Sequence, residues 1–191
     1  LIFSNEYKKD FNPKNLYKNF YKNEMADGRF KPVIELVIRL FRFFRAFKIY
    51  TLSPQSQSIL DIGSGRGFML HFLEKYYRYQ KVVGTQLDKN MIRFSRNKLG
   101  LKIYSKDLLK IPFKKVSFDI ITIWHVLEHV KNPEKYLRKI FRLLKKRGKL
   151  IIEVPNFNSW TRPLTGKYWL GLDLKYHLNF FNPESQTKML K

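Results

Sequence analysis

The chain of 191 residues contains no cysteine, so it can form neither a disulfide nor a thiolate metal site, which agrees with a cytosolic compartment. It also lacks any apolar run approaching the roughly 18 residues that a membrane span needs. No charged segment leads into an apolar stretch and a cleavage site, as a secretory leader would. Acidic residues are scarce: 15 Asp and Glu stand against 38 Lys and Arg, giving a net charge of +23 and a pI near 10.2. That excess favours encounters with nucleic acid or an anionic membrane surface. The basic residues are spread along the chain, however, so a coding bias towards lysine explains them as well. The length suits one core-bearing domain. The chain starts at Leu1 and stops inside an apparent helix, as a fragment would.

The informative stretch is Ser58-Ile59-Leu60-Asp61-Ile62-Gly63-Ser64-Gly65-Arg66-Gly67-Phe68. A short apolar run suited to a buried parallel strand leads into three glycines at alternate positions and then into a helical pattern. Such a turn lets a polar ligand lie against bare backbone amides at a helix N-terminus. The dinucleotide fingerprint GxGxxG does not fit, because its last glycine position is Phe68.

Upstream, residues 1–31 are polar and aromatic without one dominant period, and read as a helical arm over the site or as a tail. Residues 33–48 form an amphipathic, basic helix. Glu35, Arg39, Arg42, Arg45 and Lys48 occupy one half of its circumference; Val33, Leu36, Val37, Leu40, Phe43, Phe44 and Phe47 occupy the other. The pattern predicts that the apolar half packs on the domain, with a contact to anionic membrane as the alternative. Downstream, helices over 68–79, 90–99 and 133–146 alternate with strands over 81–87, 101–105, 118–124 and 149–154. That alternation predicts an α/β fold, a three-layer Rossmann-like sandwich with a mainly parallel sheet. The ligand crevice should lie at the carboxyl ends of the strands over 58–62 and 118–124.

The spacing acid-x-Gly-x-Gly-x-Gly from Asp61 to Gly67 resembles the first motif of class I S-adenosylmethionine-dependent methyltransferases. The later segments Ile111-Pro112-Phe113, Ser117-Phe118-Asp119 and Leu143 to Leu150 resemble that family in order. The resemblance implies that Asp61, Gly63, Ser64, Gly65 and Gly67 face the cofactor, S-adenosyl-L-methionine, with S-adenosyl-L-homocysteine as product. It implies that Gln86 and Leu87 meet the ribose, and that Asp107 and Leu108 meet the adenine. Gln86 departs from the family pattern, where an acid binds both ribose hydroxyls, so affinity depends on Asp88 turning in. Trp124 would bind the cofactor and His125 would lie nearest the sulfonium, where His125 is the candidate for contacting the cofactor or assisting proton removal. His125-x-x-Glu128-His129 also matches an inverted zinc-protease pattern; it starts at the end of a buried strand and lacks a further ligand, so no metal site is expected.

Beyond the last strand, the run His177-x-x-Phe180-Phe181-x-Pro183-Glu184 resembles one beside the acceptor pocket of ubiquinone-type and sugar or lipid methyltransferases, and the aromatic residues Trp160, Tyr168, Trp169 and Tyr176 precede it. These four and His177 are the candidate substrate residues, and a packed lid is their other reading. The family's closing hairpin is not visible before Lys191, so a C-terminally truncated domain over 51–191, preceded by an arm and helix over 1–50, is expected. The resemblance implies methyl transfer to a small-molecule, glycan- or lipid-type acceptor. RNA methylation is the alternative that the charge favours. A non-catalytic module binding a membrane or partner is the one that Gln86 keeps open.

Overall fold

The computed structural model describes residues 2–3, 32–169, 171–174 and 176–190. Apart from Ile2–Phe3, the arm expected over residues 1–31 lies outside the described residues. In chain order the elements are β1 (Ile2–Phe3), α1 (Pro32–Leu52), β2 (Ser58–Ile62), α2 (Phe68–Tyr77), β3 (Lys81–Thr85), α3 (Lys89–Leu99) and β4 (Lys102–Tyr104). There follow β5 (Phe118–Trp124), α4 (Pro133–Leu143), β6 (Leu144–Glu153), α5 (Thr161–Thr165), β7 (Asn179–Phe180) and α6 (Pro183–Leu190).

Five strands form one parallel sheet in the order β4-β3-β2-β5-β6. The order reverses between β2 and β5, where an open α/β sheet leaves its crevice. Side chains alternate across β2: Leu60 and Ile62 enter the layer under α4, while Ile59 joins Ala46, Ile49, Leu70 and Leu73 on the α1–α2 side. Helices therefore cover both faces of the sheet, as buried parallel strands require. A separate antiparallel pair joins β1 to β7.

Several element boundaries differ from expectation, the largest of them for a physical reason. Asn132 caps α4, its side chain accepting from Lys135 N at 2.9 Å, and the helix stops at Leu143 rather than Lys146. Leu144 turns extended and pairs with Phe118, while Val116 and Ser117 bond to the carbonyls of Arg142 and Leu143. Pairing with β5 thus captures residues whose composition favours helix. At the other end, α1 continues to Leu52, past the span expected over 33–48.

The orientation of α1 overturns the expected packing. Its polar half faces the domain: Glu35 is buried and pairs with Arg66 at 2.6 Å, Arg45 pairs with Glu153, and Arg39 stacks 5.0 Å from the Phe68 ring. Only Ile38, Phe43, Ala46, Ile49 and Tyr50 add apolar cover on that side. The opposite half, including Val33, Leu36, Val37, Leu40, Phe44 and Phe47, is exposed. Ion pairs with Arg66 and Glu153 decide which way the helix is turned.

Candidate functional site

The glycine turn closes tightly between β2 and α2. Gly63 has φ +75° and a Cβ there would strike Val126; its amide and that of Ser64 both donate to the Thr85 carbonyl, at 3.0 and 2.9 Å. Gly67 donates to Ser64 O at 3.0 Å. These three amides hold the loop instead of facing a ligand, contrary to expectation. Gly65 differs: at φ +57° it has open space where a Cβ would stand. A flat ligand can therefore approach the backbone there.

Beside the turn, Ile62, Gly63, Gln86, Leu87, Asp107, Leu108, Val126 and Tyr136 wall a cavity of about 40 Å³. Gln86 is buried, and its Oε1 accepts from Leu87 N at 2.7 Å and Asp88 N at 3.1 Å. Asp88 caps α3 by accepting from Met91 N at 2.8 Å, so it is already committed and the expected rescue of Gln86 finds it engaged. Asp107 accepts from Leu109 N at 2.8 Å and from the Tyr136 hydroxyl, each carboxylate oxygen keeping a further lone pair. Gly65 and this acceptor-rich wall fit the adenosine of the expected cofactor. At about 40 Å³, with Val126 and Tyr136 on its wall, the cavity is too small for a ring as these side chains stand.

A second cluster stands at the carboxyl ends of β2, β5 and β6. Asp61 is buried, accepts from the Thr122 hydroxyl at 2.7 Å, and is pushed up to a pKa of about 7 by that burial, against the pull of Thr122, Arg42 and Arg45. His125, directly after β5, takes φ +52°, an uncommon region for a residue with a side chain. Its ring lies between two carboxylates, with Glu128 3.5 Å from Nδ1 and Glu153 2.8 Å from Nε2. Glu128 foremost, and Glu153 with it, hold the imidazole pKa above its ordinary value against partial burial. Glu153 also accepts from Arg45, whose guanidinium stacks 4.3 Å over Trp124.

Trp124 does not join the cavity at the glycine turn. It lines a groove of about 500 Å³ between α1 and the sheet, with Phe41, Phe44, Arg45, Ile152 and Glu153. Sequence reasoning missed Arg45 and Glu153 as site residues. The available signal was a lone acid closing the apolar run Leu150-Ile151-Ile152 at a strand's carboxyl end, the same signal that marked Asp61.

None of the five expected substrate residues lines either of these cavities, but Trp160 lines a third, of about 570 Å³, with Phe157, Ser159 and Arg162. Trp160 and Tyr168 stand exposed on the α5 segment, and Trp169 packs inward, its Nε1 donating to Thr161 at 3.1 Å. His177 is buried, with its ring 4.8 Å from that of His129 and its pKa lowered by desolvation. His129 Nδ1 meets the Tyr176 carbonyl at 2.9 Å, His177 Nδ1 meets that of Gly171 at 3.0 Å, and Leu178 N donates to Glu128 O at 2.8 Å. This segment braces the loop that carries His125. In doing so it gathers Glu128, His129 and His177, whose ligand-type atoms lie within 4.8 Å of one another.

A parallel sheet with a glycine turn after its central strand, an acid on that strand and a histidine directly after its switch-point neighbour has the layout of a nucleotide-type α/β domain. The model of the family described as "Methyltransferase domain" matches residues 25–191, and the chain belongs to that family, as a class I S-adenosylmethionine-dependent methyltransferase domain. It is 27% identical over 166 residues to a ubiquinone/menaquinone biosynthesis C-methyltransferase, UbiE, of Idiomarina loihiensis, covering 78% of this chain and 65% of that protein. It is 28% identical over 112 residues to a ubiquinone biosynthesis O-methyltransferase of Coxiella burnetii, covering 56% of this chain and 47% of that one. The fold matches the plantazolicin methyltransferase BpumL, solved with a pentazolic desmethylPZN analog and SAH, at a TM-score of 0.65 and 20% identity over 93% of this chain and 72% of that one. The chain thus spans about half to two thirds of the curated relatives it matches. Among the described residues no helix is long and apolar enough to cross a membrane.

Proposed function

We propose that this chain directs methyl transfer from S-adenosylmethionine to a small-molecule acceptor presented at His125, working in the cytosol or at a membrane surface. The observation that carries this reading is the imidazole of His125, held between Glu128 and Glu153 where the strand order reverses and where an apolar groove adjoins it. The bound cofactor supplies an activated methyl group on a sulfonium, open to in-line attack. Because that group is already activated, the protein's work is mainly alignment. Gly65 leaves the backbone bare for the cofactor, Leu87 and Leu108 cover the ring, and Gln86 and Asp107 offer acceptors to its polar edges. Asp61 and Ser64 stand where the glycine turn meets β2. His125 takes the proton of an acceptor hydroxyl as the new bond forms, and Glu153 and Glu128 raise its basicity for that step.

The groove beside Trp124, with Phe41 and Phe44 on its wall, suits a ring or chain that is mostly apolar, of lipid or quinone type. The two relatives described above carry names from quinone biosynthesis, which supports that acceptor class over a glycan. Trp160, Tyr168, Trp169, Tyr176 and His177 then serve as the brace and outer surface of the acceptor side.

Calorimetric titration with S-adenosylmethionine and S-adenosylhomocysteine is the test. Micromolar binding that Asp61→Ala and Gly65→Val both abolish supports the reading. A folded chain that binds neither ligand overturns it in favour of a non-catalytic module.

A further inference from the structure

The inverted seat of α1 leaves an apolar face of which only Phe41, Phe44 and Leu52 border the acceptor groove. Nine large apolar side chains of this one helix are exposed, from Val33 at 72% and Phe41 at 66% to Leu52 at 47%. On a helical wheel, Leu36, Phe47, Leu40, Val33, Phe44 and Val37 follow one another around the outward half, interrupted only by Thr51 and flanked by Lys48. Soluble proteins seldom expose so continuous an apolar face without a partner. The face cannot close onto its own domain, because the arginines opposite it are engaged with Glu153, Asp61 and the Phe68 ring.

The charges around the stripe select the occupant. The helix has one carboxylate, Glu35, and it is buried in its pair with Arg66. Lys48 is exposed on the outward half, Lys149 reaches the carbonyl of Leu52 at the helix end, and Lys75 lies 5.5 Å over the Tyr76 ring, itself packed against Phe43. A second copy of this chain would bring the same cationic rim and another +23 of charge against the first, so self-association is opposed. A polyanion such as RNA satisfies the lysines and leaves the aromatic stripe in water. An anionic bilayer satisfies both, taking the phenylalanines and aliphatics into the acyl boundary and the lysines at the headgroups.

We propose that α1 is an interfacial helix that docks this domain flat on an anionic phospholipid surface, with Leu36, Val37, Leu40, Phe44 and Phe47 inserted and Lys48, Lys75 and Lys149 at the headgroup level. Arg39, Arg42 and Arg45 play no part in this contact, because they lie on the half of α1 turned towards Phe68, Asp61 and Glu153.

Flotation of the whole chain with phosphatidylcholine vesicles, with and without phosphatidylglycerol, tests the proposal. A combined Leu36→Ser, Val37→Ser, Leu40→Ser variant removes the centre of the stripe without touching the groove residues. The expected result is binding to the phosphatidylglycerol vesicles, weakened at least about tenfold by the variant and also by Lys48→Glu. In a Leu40→Trp, Trp160→Phe chain, emission should shift to the blue on vesicle addition and be quenched by brominated acyl chains. Adsorption without quenching, binding indifferent to the serine variant, or absence of binding by a chain whose circular dichroism shows it folded would each overturn it. So would a concentration-dependent dimer that the serine variant dissolves, which would assign the stripe to a second copy. These readouts use no cofactor and no turnover, so they stand whether or not the methyl-transfer reading survives.

Discussion

The imidazole of His125 sits between Glu128 and Glu153, and both carboxylates favour its charged form, so its pKa lies above the ordinary 6.5. A base must be neutral to accept a proton, so kcat/KM should rise with pH through that raised value and level off above it. His125→Gln should lower the rate by about 10²–10⁴-fold and abolish the rise; Glu153→Gln should keep the rise and move its midpoint down. A flat pH profile with an active His125→Gln chain would remove His125 from proton transfer. Asp61 gives a second test, in stability. Its folded pKa, raised from 3.8 to about 7 by burial, means the folded state holds a proton the unfolded state has lost. Stability from this group is full below pH 3.8 and declines as pH rises to about 7, by up to about 4 kcal/mol. Asp61→Asn should therefore match the parent near pH 4 and exceed it near pH 8 in urea unfolding, while losing cofactor affinity. Asp61 was legible because its acid and glycines are contiguous. Arg45 and Glu153 were not, because their pair joins residues 108 apart in the chain and no local spacing encodes it.

At the scale of elements, sequence periodicity located the five strands and the helices between them, since buried parallel strands and amphipathic helices each leave a local signature. It resolved the two halves of α1 but not which half turns inward, a choice made by Glu35 with Arg66 and Arg45 with Glu153. It likewise found the aromatics after β6 without showing that Trp160 points outward and Trp169 inward. The glycine turn separates two duties that the sequence presents alike. Gly63→Ala meets the Val126 side chain and a left-handed φ together, so it should cost about 2–4 kcal/mol in urea unfolding. Gly65→Ala meets only the backbone term, about 1–2 kcal/mol, because open space lies beyond it. It should stay folded and lose cofactor binding, as its methyl group occupies the space left for the ligand. Equal stability losses for the two variants would mean that the turn has no ligand face.

Across the whole molecule the two ends of the sheet carry different electrostatics, and this bears on the high positive charge. At the carboxyl ends the arginines of α1 are matched by Asp61 and Glu153. At the amino ends Lys102, Lys114 and Lys145 crowd Lys81, and Lys145 pairs at 3.0 Å with Asp119, which also accepts from Ser58 N and its hydroxyl. Mutual repulsion there adds to desolvation in lowering the pKa of Lys81. Polyanions should therefore gather at the end away from His125. Association with single-stranded RNA should weaken with a slope of about −0.7 per phosphate contacted in log affinity against log salt, and should fall in a Lys102→Glu, Lys114→Glu chain. Cofactor affinity should be unchanged by that variant and by bound RNA, because neither Lys102 nor Lys114 lines the cavity beside the glycine turn. Fluorescence anisotropy of a labelled oligonucleotide across a salt series, repeated with saturating S-adenosylhomocysteine, measures both. Binding that survives high salt and is altered by the cofactor would place RNA at the methyl-transfer site and make it the acceptor. Binding that disappears with salt and ignores the cofactor would leave the charge to general surface attraction, and with it the case for RNA methylation.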